Sequence, residues 1–146
     1  MKYSYKLSDA IHLLSYLEIV KDGDLSSKAI AASIESNPSI VRLLMSELRN
    51  AGIIETQRGK VAPVWKKKPK DISLYDVYQA INIDHTLLHV DPKTNPRCVV
   101  GSNIQDSLNH FYDEIEDFAY MRMKQITLAD VIDDILERQE KKEKMS

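Results

Sequence analysis

Apolar residues recur every three or four positions along most of this 146-residue chain, which is the spacing of amphipathic helices. The pattern predicts a first helix from about Tyr5 to Val20 and a long helix from about Val100 to Ile126. Ser73 and Thr127 each precede an aspartate by three residues, as in a capping box, and they predict two more helix starts. The chain is therefore predicted to be mainly helical, with a loop-rich stretch at 85–97.

Two short helices are predicted between these regions. Ser26 is a favoured N-cap residue, and the helix that it begins is expected to end at Ile34. The inward positions of this helix are expected to be Ala29, Ile30 and Ser33. Asn37 and Pro38 suit the cap and first position of the next helix, and Gly52 suits its left-handed end. The apolar positions that repeat along it are Ile40, Leu43, Leu44, Leu48 and Ala51.

A β-hairpin is predicted to follow the second of these helices. Residues 53–57 are strand-like, 58–60 form a turn, and 61–65 are expected to return as a second strand. Pro63 restricts that strand to an edge or an irregular segment. Six basic residues and no acidic residue lie between Arg58 and Lys70.

Charge is distributed unevenly along the chain, although the net charge is only −2. Residues 1–70 carry a balance of +5 and residues 71–146 a balance of −7. A basic front half is typical of a module that meets a polyanion. No apolar run is long enough for a membrane span, and no signal-peptide pattern is found, so a cytoplasmic protein is expected.

Helix, turn, helix and basic hairpin in this order predict a DNA-binding winged helix. The residues expected to read bases are Asn37, Ser39, Ile40 and Arg42. Ser27 and Lys28 are expected to hold phosphate, and Gln57, Arg58 and Lys60 are expected to contact DNA from the hairpin tip. Two helices joined by a turn also occur in bundles that bind no DNA, so a protein-interaction module is the alternative.

Several motifs resemble the Rrf2 family of winged-helix transcriptional regulators, relatives of IscR and NsrR, and within it the YwnA-like members that lack an iron–sulfur cluster. The matching stretches lie at 10–14, 25–31, 37–42, 48–54, 58–59, 69–77 and 95–101. The resemblance implies a dimeric transcription factor, most often a repressor. It places Asn37, Ser39, Ile40 and Arg42 at base-reading positions, and Arg58 at the wing arginine. The segment 62–65 departs from the Gly-Gly-Tyr sequence of many members.

Three regions are predicted: a winged helix-turn-helix domain at 1–83, a sensor-type loop at 84–100, and a dimerisation helix with a C-terminal helix at 101–146. The apolar positions of the long helix need a partner. Part of this surface is expected to pack on its own domain, and the rest, with the apolar residues of 128–136, on a second copy. A homodimer would match a palindromic operator. The Glu-Lys tail after Arg138 is expected to be frayed.

Cys98 is the only cysteine, so a cluster that needs four ligands, mostly cysteine, is not expected, and neither is any other cofactor. Two interpretations of Cys98 stay open. It is either a small buried residue at a helix start or a reactive sensor whose pKa is lowered by Arg97 and the helix N-terminus. His85 and His89 form too weak a pattern for a metal site. No residue pattern predicts an enzyme.

Overall fold

The computed structural model describes residues 4–60 and 62–146. Within them the chain forms helices, a two-stranded hairpin and a 3-10 turn, and this confirms the mainly helical prediction. The elements are α1 (Lys6–Ile19), α2 (Ser27–Ile34), α3 (Pro38–Asn50), β1 (Ile54–Glu55), β2 (Val64–Trp65), the 3-10 turn (Pro69–Asp71), α4 (Leu74–Ala80), α5 (Ile104–Gln125) and α6 (Leu128–Met145).

The core lies where α1, α2, α3, the hairpin, α4 and the start of α6 meet. Its largest fully buried side chains are Leu13, Leu14, Ile30, Leu44, Leu48, Ile54, Ile72, Ile81, Leu128, Val41 and Val77. Each aliphatic side chain of this size contributes roughly 1.5–3 kcal/mol when it leaves water. Helix α5 contributes none of the buried residues, so it is held to this body by other contacts.

The predicted helix ends are confirmed by their hydrogen bonds. Ser26 Oγ accepts from the Ala29 N–H at 3.1 Å, and Asn37 Oδ1 accepts from the Ile40 N–H at 3.1 Å. Gly52 has φ +78°, which an L side chain rarely adopts, and it ends α3 as predicted. The capping boxes at residues 73–76 and 127–130 are also present.

The buried faces of α2 and α3 differ from the prediction. In α2, Ile30 and Ala31 are buried, because α1 and α3 both pack against this short helix. Ala29 is only half-buried, and Ser33 is exposed. In α3 the buried residues are Val41, Leu44, Met45 and Leu48, which follow a single helical stripe. The inward placement of Leu43 and Ala51 was therefore wrong, since both are exposed, whereas the exposure of Ile40 agrees with its predicted base-reading position.

The hairpin is shorter than predicted. Strands β1 and β2 pair antiparallel over two residue pairs, Ile54 with Trp65 and Glu55 with Val64. Pro63 lacks the N–H that would extend the ladder. The predicted start of the second strand, Val61, lies outside the described residues. The wing is therefore a narrow ribbon attached to the body at its base.

The start of α6 belongs to the same body as α1 and α4. Leu128 and Ile132 are buried there, and the Leu128 N–H donates to the Ile72 carbonyl oxygen at 2.9 Å. The expectation that these two residues pack on a second copy was therefore wrong. The expectation that the tail after Arg138 is frayed was also wrong, because α6 continues to Met145. Ion pairs four residues apart line this tail, including Lys141–Glu137 and Lys144–Glu140.

Helix α5 begins at Ile104, later than predicted, and α4 ends at Ala80. One side of α5 packs on α4, where the Tyr120 ring lies 5.7 Å from the Tyr78 ring. The other side exposes large apolar side chains. They are Phe111, Ile115, Phe118 and Met121.

Candidate nucleic-acid interface

The N-terminal end of α3 is built around Asn37. Its Oδ1 accepts hydrogen bonds from the Ile40 N–H and the Ser39 hydroxyl, so the amide nitrogen is the part left for another partner. Pairing with adenine through both amide atoms needs that oxygen as well. In this conformation Asn37 orders the end of the helix, and a base contact would use its NH₂ group.

The outward face of α3 exposes the predicted base-reading residues Ser39, Ile40 and Arg42. Leu43 is 52% exposed beside them, an apolar contact that the sequence interpretation had assigned to the core. Its place on the helix was the signal that could have found it, because at about 100° per residue Leu43 lies on the side away from the stripe of Val41, Leu44 and Leu48. Further along, Arg49 Nη1 donates to Thr56 Oγ1 at 2.9 Å and ties α3 to the hairpin.

Glu47 is the only acidic residue of α3, and it points inwards. Its side chain is 14% exposed, and its Oε1 lies 2.9 Å from Lys6 Nζ. The charged side chains that α3 exposes are therefore Arg42 and Arg49. A helix with this surface can approach phosphates without repulsion from a carboxylate of its own.

The wing tip is a tight turn with exposed cations. The Lys60 N–H donates to the Gln57 carbonyl oxygen at 3.1 Å, and Gly59 has φ +83°, which closes the turn. Gln57, Arg58 and Lys60 are all exposed. Exposed cations continue in the segment that follows β2: Lys66, Lys67, Lys68 and Lys70.

At the start of α2, the side chain of Asp24 already takes up a backbone N–H group, which was not predicted from the sequence. Asp24 Oδ1 accepts from the Ser26 N–H at 2.9 Å, and this backbone hydrogen bond lowers the pKa of Asp24. A carboxylate thus stands beside the amides that were expected to hold phosphate. Ser27 is half-buried there, while Lys28 is exposed. The Asp24-Leu-Ser26 spacing is the signal that could have indicated this turn.

Cys98 is exposed, so its interpretation as a buried structural residue was wrong. It lies in a turn in which its N–H donates to the Asn95 carbonyl oxygen at 3.3 Å. The backbone N–H groups of Gly101 and then Val100 lower the pKa of the Cys98 thiol. The predicted causes of a lowered pKa were Arg97 and the start of α5. The structure gives the amides of Gly101 and Val100 as the cause instead, and α5 begins only at Ile104.

The histidines take part in local contacts. His85 Nε2 lies 2.8 Å from the Tyr78 carbonyl oxygen, and His89 Nε2 lies 3.6 Å from Asp84. His12 Nε2 lies 2.7 Å from the Ser33 hydroxyl, and His110 Nε2 lies 3.5 Å from Glu114. In residues 4–60 and 62–146, no three side chains of His, Cys, Asp or Glu are grouped as metal ligands.

Comparison with known proteins decides the family. The Rrf2 model, described as an iron-dependent transcriptional regulator, matches residues 3–134. The chain belongs to the Rrf2 family. It is 35% identical over 127 residues to YwnA of Bacillus subtilis, whose name describes an HTH-type transcriptional regulator, with 87% of this chain and 94% of YwnA covered.

Solved structures agree with this family and its winged-helix fold. One, described as a DNA-binding protein, has a TM-score of 0.69 and 34% identity, with 87% of this chain and 98% of that chain covered. IscR from T. potens has a TM-score of 0.68 and 22% identity, with 95% of this chain and 91% of that chain covered. The chain is thus a transcriptional regulator of the Rrf2 family with a winged-helix fold.

An iron–sulfur cluster does not fit the residues of this chain. Such a cluster takes four protein ligands, mostly cysteine, and Cys98 is the single cysteine of the sequence. His85 and His89, which precede Cys98, already contact Tyr78 and Asp84. One chain therefore does not supply the four protein ligands, mostly cysteines, that an iron–sulfur cluster usually takes.

In the part of the chain that the structure describes, no helix combines the length and the apolar character that a bilayer crossing requires.

Proposed function

We propose that this Rrf2-family regulator binds a specific palindromic operator in double-stranded DNA as a homodimer and represses transcription. The observation that carries the proposal is the outward surface of α3. Polar, apolar and cationic side chains are exposed there together, while the helix's only carboxylate points inwards. Such a surface can read base edges in the major groove while the wing cations contact the backbone.

The base-reading residues in this proposal are Asn37, Ser39, Ile40 and Arg42. Lys28 and Ser27 contact phosphate from the start of α2, although Asp24 reduces the room for an anion there. Gln57, Arg58 and Lys60 contact the duplex from the wing tip. Because these groups come from three separate elements, they fix one orientation of the protein on the duplex.

The dimer in this proposal forms through the exposed apolar side of α5. Leu108, Phe111, Ile115 and Phe118 alternate spacings of three and four residues, as in the seam of a coiled coil. The last three of them are at least 53% exposed in the single chain. A second copy related by a two-fold axis would cover this seam and present two recognition helices to two half-sites.

Repression in this proposal is steric, since a dimer bound to an operator prevents other proteins from reaching the DNA that it covers. The regulator acts in the cytoplasm, where its operator lies, and works without an iron–sulfur cluster. Its role is binding rather than catalysis.

The experiment that tests DNA binding is selection of preferred sites from random duplexes, followed by affinity measurements at several salt concentrations. A palindromic consensus is expected. Affinity should fall by orders of magnitude between about 50 and 200 mM salt, because several phosphate contacts release counterions. A purified dimer that retains no duplex at low ionic strength would overturn the proposal and favour the protein-interaction module.

Cys98 is the proposed point at which oxidants or electrophiles release the operator. Its thiolate accepts hydrogen bonds in the turn that leads into α5, and modification would remove those bonds. Because α5 sets the separation of the two recognition helices in the proposed dimer, a disturbed turn would lower operator affinity.

The lowered pKa of Cys98 gives this proposal a pH-dependent test. More thiolate is present at pH 7 than for an unshifted thiol, so iodoacetamide should react faster at pH 7. The increase of its rate with pH should have its midpoint at a lower pH than for free cysteine. Alkylation should weaken operator binding of the native protein and leave the Cys98→Ser variant unaffected. Alkylation no faster than that of free cysteine, or without effect on affinity, would count against the sensor.

A further inference from the structure

Lys6, Glu47 and Asn82 form a polar junction between three separate parts of the fold. Lys6 Nζ lies 2.9 Å from Glu47 Oε1 and donates to the Asn82 carbonyl oxygen at 3.0 Å. The Asn82 N–H lies 3.3 Å from the same Glu47 oxygen. One small cluster therefore connects the start of α1, the inner side of α3 and the segment that follows α4.

The Lys6–Glu47 ion pair is more sheltered from water than the ion pairs along α6, while Asn82 beside it is exposed. The side chain of Lys6 is 26% exposed and that of Glu47 is 14% exposed, whereas the α6 pairs are more than half exposed. Glu47 Oε2 is buried without a hydrogen-bond partner among the described residues. A sheltered carboxylate with one unsatisfied oxygen depends strongly on the partners of its other oxygen.

Glu47 lies five residues beyond Arg42 on the same helix. Five residues turn an α-helix by about 140°, so the two side chains project from nearly opposite sides. Arg42 projects into solvent, while Glu47 is anchored to α1 and to residue 82. The ion pair on the inner side therefore helps to hold the position of the helix whose outer side carries Arg42.

The same segment continues into contacts with α5. Glu116 Oε1 accepts the Leu87 and Leu88 N–H groups, both at 2.9 Å, and Tyr120 donates to the His85 carbonyl oxygen at 2.6 Å. The recognition helix is therefore connected, through residues 82–88, to the helix that carries the proposed dimer seam.

We propose that Lys6 and Glu47 are positioning residues for base readout: their ion pair with Asn82 fixes the orientation of α3 relative to α1 and the α4–α5 segment. The proposal rests on the proposed function, because it assigns α3 to the major groove. It concerns selectivity between duplexes, while the wing and the exposed lysines supply affinity for any duplex.

Two variants that change charge in opposite directions test the proposal. Lys6→Met removes a cation, and Glu47→Gln removes an anion while keeping an acceptor for the Asn82 N–H. Both should lower the ratio of operator to random-duplex affinity by roughly 3- to 30-fold, the range found for residues that couple to a site without touching the ligand. A purely electrostatic effect would instead weaken binding in Lys6→Met and strengthen it in Glu47→Gln, with the ratio unchanged.

Lys21→Met is the matched control. Lys21 lies just beyond the other end of α1, is 65% exposed at its side chain, and lies 4.0 Å from Glu18. This variant loses the same charge and should keep the native selectivity ratio. The double variant Lys6→Met with Glu47→Gln should be little worse than Lys6→Met alone, because both remove one interaction.

Retained affinity for random duplexes shows that each variant is folded. If native selectivity survives in both single variants, the positioning role is wrong even though the native protein binds its operator. If the native protein itself binds no duplex, the proposed function fails first and the positioning role falls with it.

Discussion

Arg42 and Lys60 carry the same charge but face a duplex from different elements. Arg42 lies on α3, where a bidentate guanidinium can pair with guanine. Lys60 ends the turn of the wing, where it can meet only phosphate or a minor groove of any sequence. The two residues should therefore affect DNA binding in different ways.

Replacing each residue by alanine separates these roles. Arg42→Ala should cost about 1–3 kcal/mol of operator binding and relax the preference at one base pair. Lys60→Ala should weaken all duplexes alike and reduce the salt slope by about 1. Band shifts with operator, single-substitution and random duplexes at several salt concentrations measure both quantities. An unchanged operator affinity in Arg42→Ala would mean that α3 is not the reading helix.

At the scale of elements, α3 owes its boundaries to local chemistry. Asn37 satisfies an N–H at one end, and Gly52 takes a left-handed conformation at the other. A Cβ at Gly52 would meet nothing within 4 Å, so any cost of a side chain comes from the backbone conformation alone. This position therefore isolates the contribution of the helix end to folding.

Gly52→Ala should lower the free energy of unfolding by about 1–2 kcal/mol, the cost of a left-handed conformation for an L residue. Gly52→Asn should lose less, because asparagine tolerates this conformation better than alanine. Urea denaturation of the three proteins measures the difference. Equal stability of Gly52→Ala and the native chain would show that the helix end relaxes into another conformation.

At the scale of the whole molecule, the exposed side of α5 decides how two copies meet. Ile115 is 53% exposed in the single chain, so a charged residue there adds little strain to the monomer. Ile115→Glu should place two carboxylates in the proposed seam and convert the dimer to a monomer in analytical ultracentrifugation. Operator binding should also become weaker, because a monomer can occupy only one of the two half-sites.

Asn109→Glu is the matched control for this prediction. Asn109 is exposed and, at about 100° per residue, projects from a different side of α5 than Phe111, Ile115 and Phe118. It adds a carboxylate to the same helix outside the seam, and the dimer should persist. A dimer that survives Ile115→Glu as well would place the interface on another surface.

The local elements could be predicted because their signals are short-range. The caps at Ser26 and Asn37, the end at Gly52 and both capping boxes depend on residues within four positions of each other. The order of helices and hairpin, and with it the winged-helix fold and the family, followed from these signals and the motifs. The candidate DNA-contacting residues could be named for the same reason, and their contacts with DNA stay predictions.

Tertiary packing decided which side of each element is buried, since that depends on neighbours far away in sequence. Ile40 and Leu43 are as apolar as the core residues of α3, yet they are exposed because no element among the described residues covers that side. Leu128 enters the core although it lies more than fifty residues beyond the wing. Glu47 meets Lys6 across 41 residues, and Cys98 is exposed in a turn of backbone amides. The periodicity of apolar residues indicates which side of a helix favours burial. Only the folded chain determines which of these sides is covered by another element.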